Sequence, residues 1–119
     1  MGERTYTAEE IKENRRMWVE ALESGNWTQR RGSLFNATRT GHCCLGVACE
    51  VLAPAAASAA AYDADDADAA AAHTAAYAAV RAACGLTPPE TRIFIAANDE
   101  DLLTFAEIAQ MVRALPEPV

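Results

Sequence analysis

The sequence predicts a mostly α fold: a compact single domain over residues 1–119, with four or five helices and at most a small β-hairpin near 28–42. Three observations carry that prediction. Thr-x-x-Glu capping boxes at Thr7–Glu10 and Thr104–Glu107 each precede an amphipathic stripe. Cys43–Leu52 is a short apolar run closed by Pro54. Alanine, the strongest helix former, fills 19 of the 31 positions from 53 to 83.

The first helix spans about 8–24. Ile11, Trp18 and Leu22 recur at helical spacing, Arg15 falls on the same stripe, and Ser24-Gly25 is a C-terminal stop. Residues 25–42 are rich in Gly, Asn, Thr, Ser and Arg, and Thr38-Arg39-Thr40 reads as a strand edge. In the helix that follows, Cys44, Val47, Ala48 and Val51 share one face. Gly46 costs a helix interior about 1 kcal/mol, so a small residue there implies the close approach of another backbone.

The Ala-rich segment 53–83 reads as a spacer or a helix, and its strongest helical part is about 68–84. There His73, Tyr77, Val80 or Arg81, and Cys84 form a stripe ended by Gly85. Asp63, Asp65, Asp66 and Asp68 lie where the helix dipole favours anions. Leu86-Thr87-Pro88-Pro89 is expected to turn and Asn98–Asp101 to form a polar break; Arg92–Ala97 is too short for periodicity to classify and reads as helix in preference to strand. Ile108, Met111, Val112 and Leu115 give the last helix its inner face before Pro116.

Composition narrows the function. The formal net charge is −7, and residues 63–119 hold three basic against ten acidic side chains. That balance argues against broad nucleic-acid binding, which needs Lys and Arg to displace counterions. Leu, Ile, Val and Phe together supply only 21 positions, and no apolar run reaches a membrane span. Met1-Gly2-Glu3-Arg4 lacks an apolar leader, so a cytoplasmic location with reduced thiols is expected. Asn26-Trp27-Thr28 and Asn36-Ala37-Thr38 match the glycosylation pattern but are discounted on the same ground.

Cys43, Cys44, Cys49 and Cys84 read as core residues. Vicinal cysteines do not give zinc-knuckle spacing, and His42 is badly placed to deprotonate its neighbour Cys43. No catalytic residue, metal site or cofactor is assigned. Asn98 and Asp99 are explained by an Asx turn more simply than by a cation site.

Three segments resemble a group of small tailed-phage and prophage proteins. They are Trp18-Val19-Glu20-Ala21-Leu22-Glu23-Ser24-Gly25-Asn26-Trp27, then Cys43-Cys44-Leu45-Gly46-Val47, then Asn98-Asp99 followed by Phe105-Ala106-Glu107-Ile108-Ala109. The resemblance covers roughly 1–52 and 84–115; Ala97 departs from the group's usual Leu, and the Ala-rich segment replaces a mixed one. It implies a phage accessory context and assigns no activity.

The expected binding surface is Trp27, Arg30, Arg31, Arg39 and His42, which combine cations with aromatic surface, together with Asn98 and Asp99. The leading expectation is a non-enzymatic accessory protein that binds a host bacterial protein, as an inhibitor of a defence component, or a small anionic or nucleotide ligand. The alternatives are a small enzyme using Arg30, Arg31 and His42 with Asp99 on a phosphate-containing substrate, and a structural or engineered scaffold. The sequence sets no oligomeric state.

Overall fold

Three Thr-x-x-Glu boxes fix the starts of three helices. In each, the Thr hydroxyl accepts from the Glu backbone N–H while the Glu carboxylate accepts from the Thr backbone N–H: Thr7–Glu10, Thr87–Glu90 and Thr104–Glu107. The computed structural model describes residues 5–32, 34–35, 39–62 and 67–118. The helices are α1 (Ala8–Glu23), α2 (Cys44–Leu52), α3 (Pro54–Tyr62), α4 (Ala67–Cys84), α5 (Pro88–Asp99) and α6 (Phe105–Arg113). The Asn36–Thr38 triplet, the Thr38 strand edge, and Asp63, Asp65 and Asp66 lie outside the described residues.

The mostly α, single-domain prediction holds, with six helices among the described residues in place of four or five. The Ala-rich segment contributes two of them. Ala57, Ala60 and Ala76 are buried, so its small side chains pack α3 and α4 closely against each other and against α2. Of the turn expected at 86–89, Leu86 and Thr87 do connect α4 to α5, but Pro88 and Pro89 belong to α5. Proline is tolerated in a first helical turn, where its missing N–H has no partner to lose, and Pro88 and Pro89 occupy that turn behind the Thr87 cap. Around 28–42 the described residues form no strand, only bridges from His42 to Gln29 and to Phe35.

α2 is apolar on all sides, and Cys44 through Cys49 are all buried. It contacts α1, α3, α4 and α5, and α1 also packs along α6. Trp18 of α1 is fully buried, donates its indole N–H to the Cys44 carbonyl (2.9 Å) and lies 5.2 Å from the Phe94 ring. Arg15 does not pair with an acid. Its guanidinium donates to the carbonyls of Cys84 (2.8 Å), Gly85 (3.1 Å) and Pro116 (2.7 Å), and so caps the end of α4. Among the described residues, no helix is long and apolar enough to cross a membrane.

The backbone that approaches Gly46 is that of Leu34. A Cβ built on Gly46 would lie 1.9 Å from the Leu34 carbonyl oxygen, which accepts from the Cys43 N–H (2.9 Å). Gly46→Ala gains about 1 kcal/mol of helix propensity, but it must push that backbone away. The expected net result is a loss of about 1–3 kcal/mol, read by equilibrium urea unfolding; an unchanged or raised midpoint would show that the loop gives way freely.

Candidate functional site

The chain between α1 and α2 is held from three directions. His42 lies between two neighbouring segments: its N–H donates to the Thr28 carbonyl (2.9 Å) and its carbonyl accepts from Arg30 N–H (2.7 Å). Asn98, at the end of α5 and fully buried, supplies the second anchor. Its Oδ1 accepts from Gln29 Nε2 (3.0 Å) and from the Cys44 N–H (3.2 Å), and its Nδ2 donates to the Arg30 carbonyl (2.8 Å) and to Asp99 Oδ1 (2.8 Å). Asp99 Oδ1 also accepts from Gly32 N–H (2.9 Å). Leu102 supplies the third, receiving Arg31 Nη2 on its carbonyl (3.4 Å).

The Asx turn expected at Asn98 and Asp99 is therefore corrected. Both residues sit in the last turn of α5, and both side chains reach the 29–32 segment rather than their own backbone. An amide offers two donors and an acceptor with two lone pairs, and this one satisfies two distant chain segments at once.

The cluster expected from the sequence separates into an internal group and a surface group. Internally, His42 is 3% exposed and its Nε2 lies 2.9 Å from Glu50 Oε2. Arg39 grips the same carboxylate with two nitrogens, Nε at 2.8 Å, and reaches Ser58 Oγ at 3.2 Å. The hydrogen-bonded Arg39 guanidinium, with His42 adding a smaller effect against partial burial, holds the Glu50 carboxyl below its ordinary value. Arg39 reaches this position with φ at 57°, in the left-handed region. Trp27 is half-buried and stands edge-on to the His42 ring, 4.9 Å between centroids, with Phe35 at 5.7 Å. Glu50 was missed from sequence, although it is the one acid in the apolar run CLGVACEVL and so required a partner.

On the surface, Arg30 and Arg31 are both exposed. Beside them Leu102 is 61% exposed, with φ at 56°. A separate groove of about 500 Å³ runs between α1 and α6.

The cysteines belong to the interior. All four are buried, and burial pushes Cys43 and Cys49 up to about 11, Cys84 to about 12, and Cys44 well above its ordinary value. Cys43 Sγ accepts from Gly46 N–H (3.3 Å), acting as the N-cap of α2. Among the described residues, no group of three His, Cys, Asp or Glu side chains is placed to hold a metal ion.

The profile of DUF8296, a domain of unknown function, matches residues 8–88. The chain belongs to the DUF8296 family. No curated protein and no solved structure matches it. The DUF8296 match runs from the start of α1 to the start of α5. It contains Trp27, Arg30, Arg31, Arg39, His42 and Glu50, whereas Asn98 and Asp99, which anchor this loop, lie beyond it.

Two predictions follow from this wiring. Asn98→Ala leaves the buried Cys44 N–H and the Arg30 carbonyl without their partner and is expected to cost about 2–3 kcal/mol; a chemical denaturation midpoint within error of wild type would refute the anchoring role. Glu50 has a lowered folded pKa, so its carboxylate stabilises the fold above the ordinary value of 4.5 and that contribution is lost as the pH falls further. The stability gap between wild type and Glu50→Gln should accordingly narrow on acidification through that range, measured by thermal unfolding at a series of pH values.

Proposed function

We propose that this DUF8296 protein is a phage or prophage accessory protein that acts by binding, without catalysis. Its partner is a host bacterial protein, engaged through an acidic surface. The binding face is the 27–32 segment with Leu102 beside it. The observation that carries this reading is the fixing of the segment's backbone by Asn98, Gln29 and Asp99 beneath two exposed arginines. In a chain of net charge −7, two adjacent guanidiniums on a pre-formed backbone suit an anionic partner with little ordering cost. An exposed Leu in left-handed backbone beside them adds the apolar contact that a protein interface uses and a solvated loop does not need.

The motif order described above supports the phage context. Catalysis by the same cluster is disfavoured because the His42 Nε2 is already engaged by Glu50 and the imidazole is 3% exposed.

The test is affinity capture from a bacterial host lysate, with mass spectrometry of both proteins and small molecules. Arg30→Ala with Arg31→Ala should abolish recovery of the partner while each substitution changes stability by less than about 0.5 kcal/mol, as exposed substitutions do. The backbone bonds of Arg30 to His42 and Asn98 survive that change. Equal recovery by wild type and variant, or release of a nucleotide in place of a protein, would overturn the reading.

A further inference from the structure

Residues 63–119 contain three basic side chains, Arg81, Arg92 and Arg113, among ten acidic ones. Arg113 is committed to Glu23 across α1 and α6. Arg81 and Arg92 are not committed: among the described residues, neither side chain makes a hydrogen bond or an ion pair. Both nevertheless face one concave place. Thr74, Tyr77 and Arg81 form a stripe on α4 at spacings of three and four. On α5, Pro88, Thr91, Arg92 and Ile95 form the opposing stripe. The two stripes enclose a groove of about 240 Å³.

This groove differs in kind from the one between α1 and α6. There Arg16 pairs with Glu13 and Glu20, Arg113 with Glu23, and Lys12 lies 3.8 Å from Glu117, so every lysine and arginine on that wall other than the carbonyl-capping Arg15 already has its acid. Among the described residues, no carboxylate lines the α4–α5 groove. The nearest acid in sequence on α5, Glu90, turns back to accept from Thr87 N–H (2.9 Å).

We propose that the α4–α5 groove is a binding site for a small phosphate monoester with an apolar body, its phosphate held between Arg81 and Arg92. The charge match selects the ligand class. A phosphate monoester carries close to two negative charges at neutral pH and three acceptor oxygens, which two guanidinium forks satisfy. A carboxylate brings one charge and leaves one cation unmatched. Ile95 and Pro88 offer the apolar surface on which the ester's body lies. Tyr77 adds a donor: burial raises its pKa to about 12, so the phenol keeps its proton. The groove's volume admits a small organic molecule and excludes a folded partner. This site shares no lining residue with the Arg30–Arg31 face, and it stands or falls independently of that face.

The experiment is an NMR titration of the full chain with phenyl phosphate, inorganic phosphate and phenylacetate, following the amides of Thr91 and Ile95. Saturable shifts there with phenyl phosphate are expected, with weaker binding of the other two probes. Arg81→Gln and Arg92→Gln should each weaken phenyl phosphate by at least about tenfold, at unchanged thermal midpoint. Arg30→Ala with Arg31→Ala should bind it as wild type does. The proposal fails if wild-type protein shows no saturable shift at millimolar phenyl phosphate, a result independent of whether any variant folds. It also fails if the Gln variants bind undiminished, or if the shifts centre on residues 30–31. Equal affinity for inorganic and phenyl phosphate overturns the assignment of an organic ligand.

Discussion

A helix that begins inside a core must find partners there for its first N–H groups, because water cannot supply them. α2 is such a helix, and its N-terminus organises the molecule. Cys43 N–H goes to the Leu34 carbonyl, Cys44 N–H to Asn98 Oδ1, and Gly46 N–H to Cys43 Sγ. Three parts of the chain therefore meet at one helical turn: the loop before α2, the end of α5, and α2 itself. Trp18 adds the fourth by donating to the Cys44 carbonyl. Gly46 is the geometric condition for this arrangement, since no side chain fits between α2 and the Leu34 carbonyl.

The candidate binding face is a by-product of that solution. To bring Leu34 against α2, the chain after α1 must double back across His42, and Asn98, once recruited to Cys44, is also in position to hold the Arg30 carbonyl and Gln29. The surface arginines are thus carried on backbone that the core's own hydrogen-bond requirements have fixed. Glu50 performs a parallel task at the other end of the loop. A carboxylate 11% exposed on an otherwise apolar helix is tolerable only when paired, and Arg39 and His42 provide the pairing. That group explains why part of the expected cluster is internal: Arg39 and His42 both bond the half-buried Glu50 carboxylate, while Arg30 and Arg31 face water.

Local signals were the legible ones. The capping boxes at Thr7 and Thr104, the α1 and α6 stripes and the close approach at Gly46 all depend on residues within one or two turns. The third box, Thr87–Glu90, has the same form, but its two intervening prolines resemble a turn as much as a helix start. The Ala-rich segment hid its packing for a different reason. Alanine serves a buried face and an exposed face equally well, so α3 has no amphipathic contrast from which to read Ala57 and Ala60 as core. Asn98 and Glu50 were opaque in their particulars because their partners are distant. Asn98 reaches residues 54 to 69 positions away, and no periodicity encodes that.

The arginines give the last step, because the chain uses this one side chain in three physically separate ways. Arg15 spends its donors on the carbonyls that end α4, where a guanidinium complements the negative end of the helix dipole. Arg16, Arg39 and Arg113 are bound to carboxylates and contribute no net attraction for an anion. Arg81 and Arg92 on the α4–α5 groove belong to neither class, while Arg30 and Arg31 stand exposed on the 27–32 segment, Arg31 touching the Leu102 carbonyl. With a net charge of −7, the long-range field of the molecule repels anions, so any anionic partner is drawn in only within about a Debye length of a local cationic site. The placement of exposed cations, more than their number, therefore determines where an anion can approach this protein. Two places fit: the 27–32 segment, whose backbone Asn98 and Asp99 hold, and the concave α4–α5 groove with its apolar side chains.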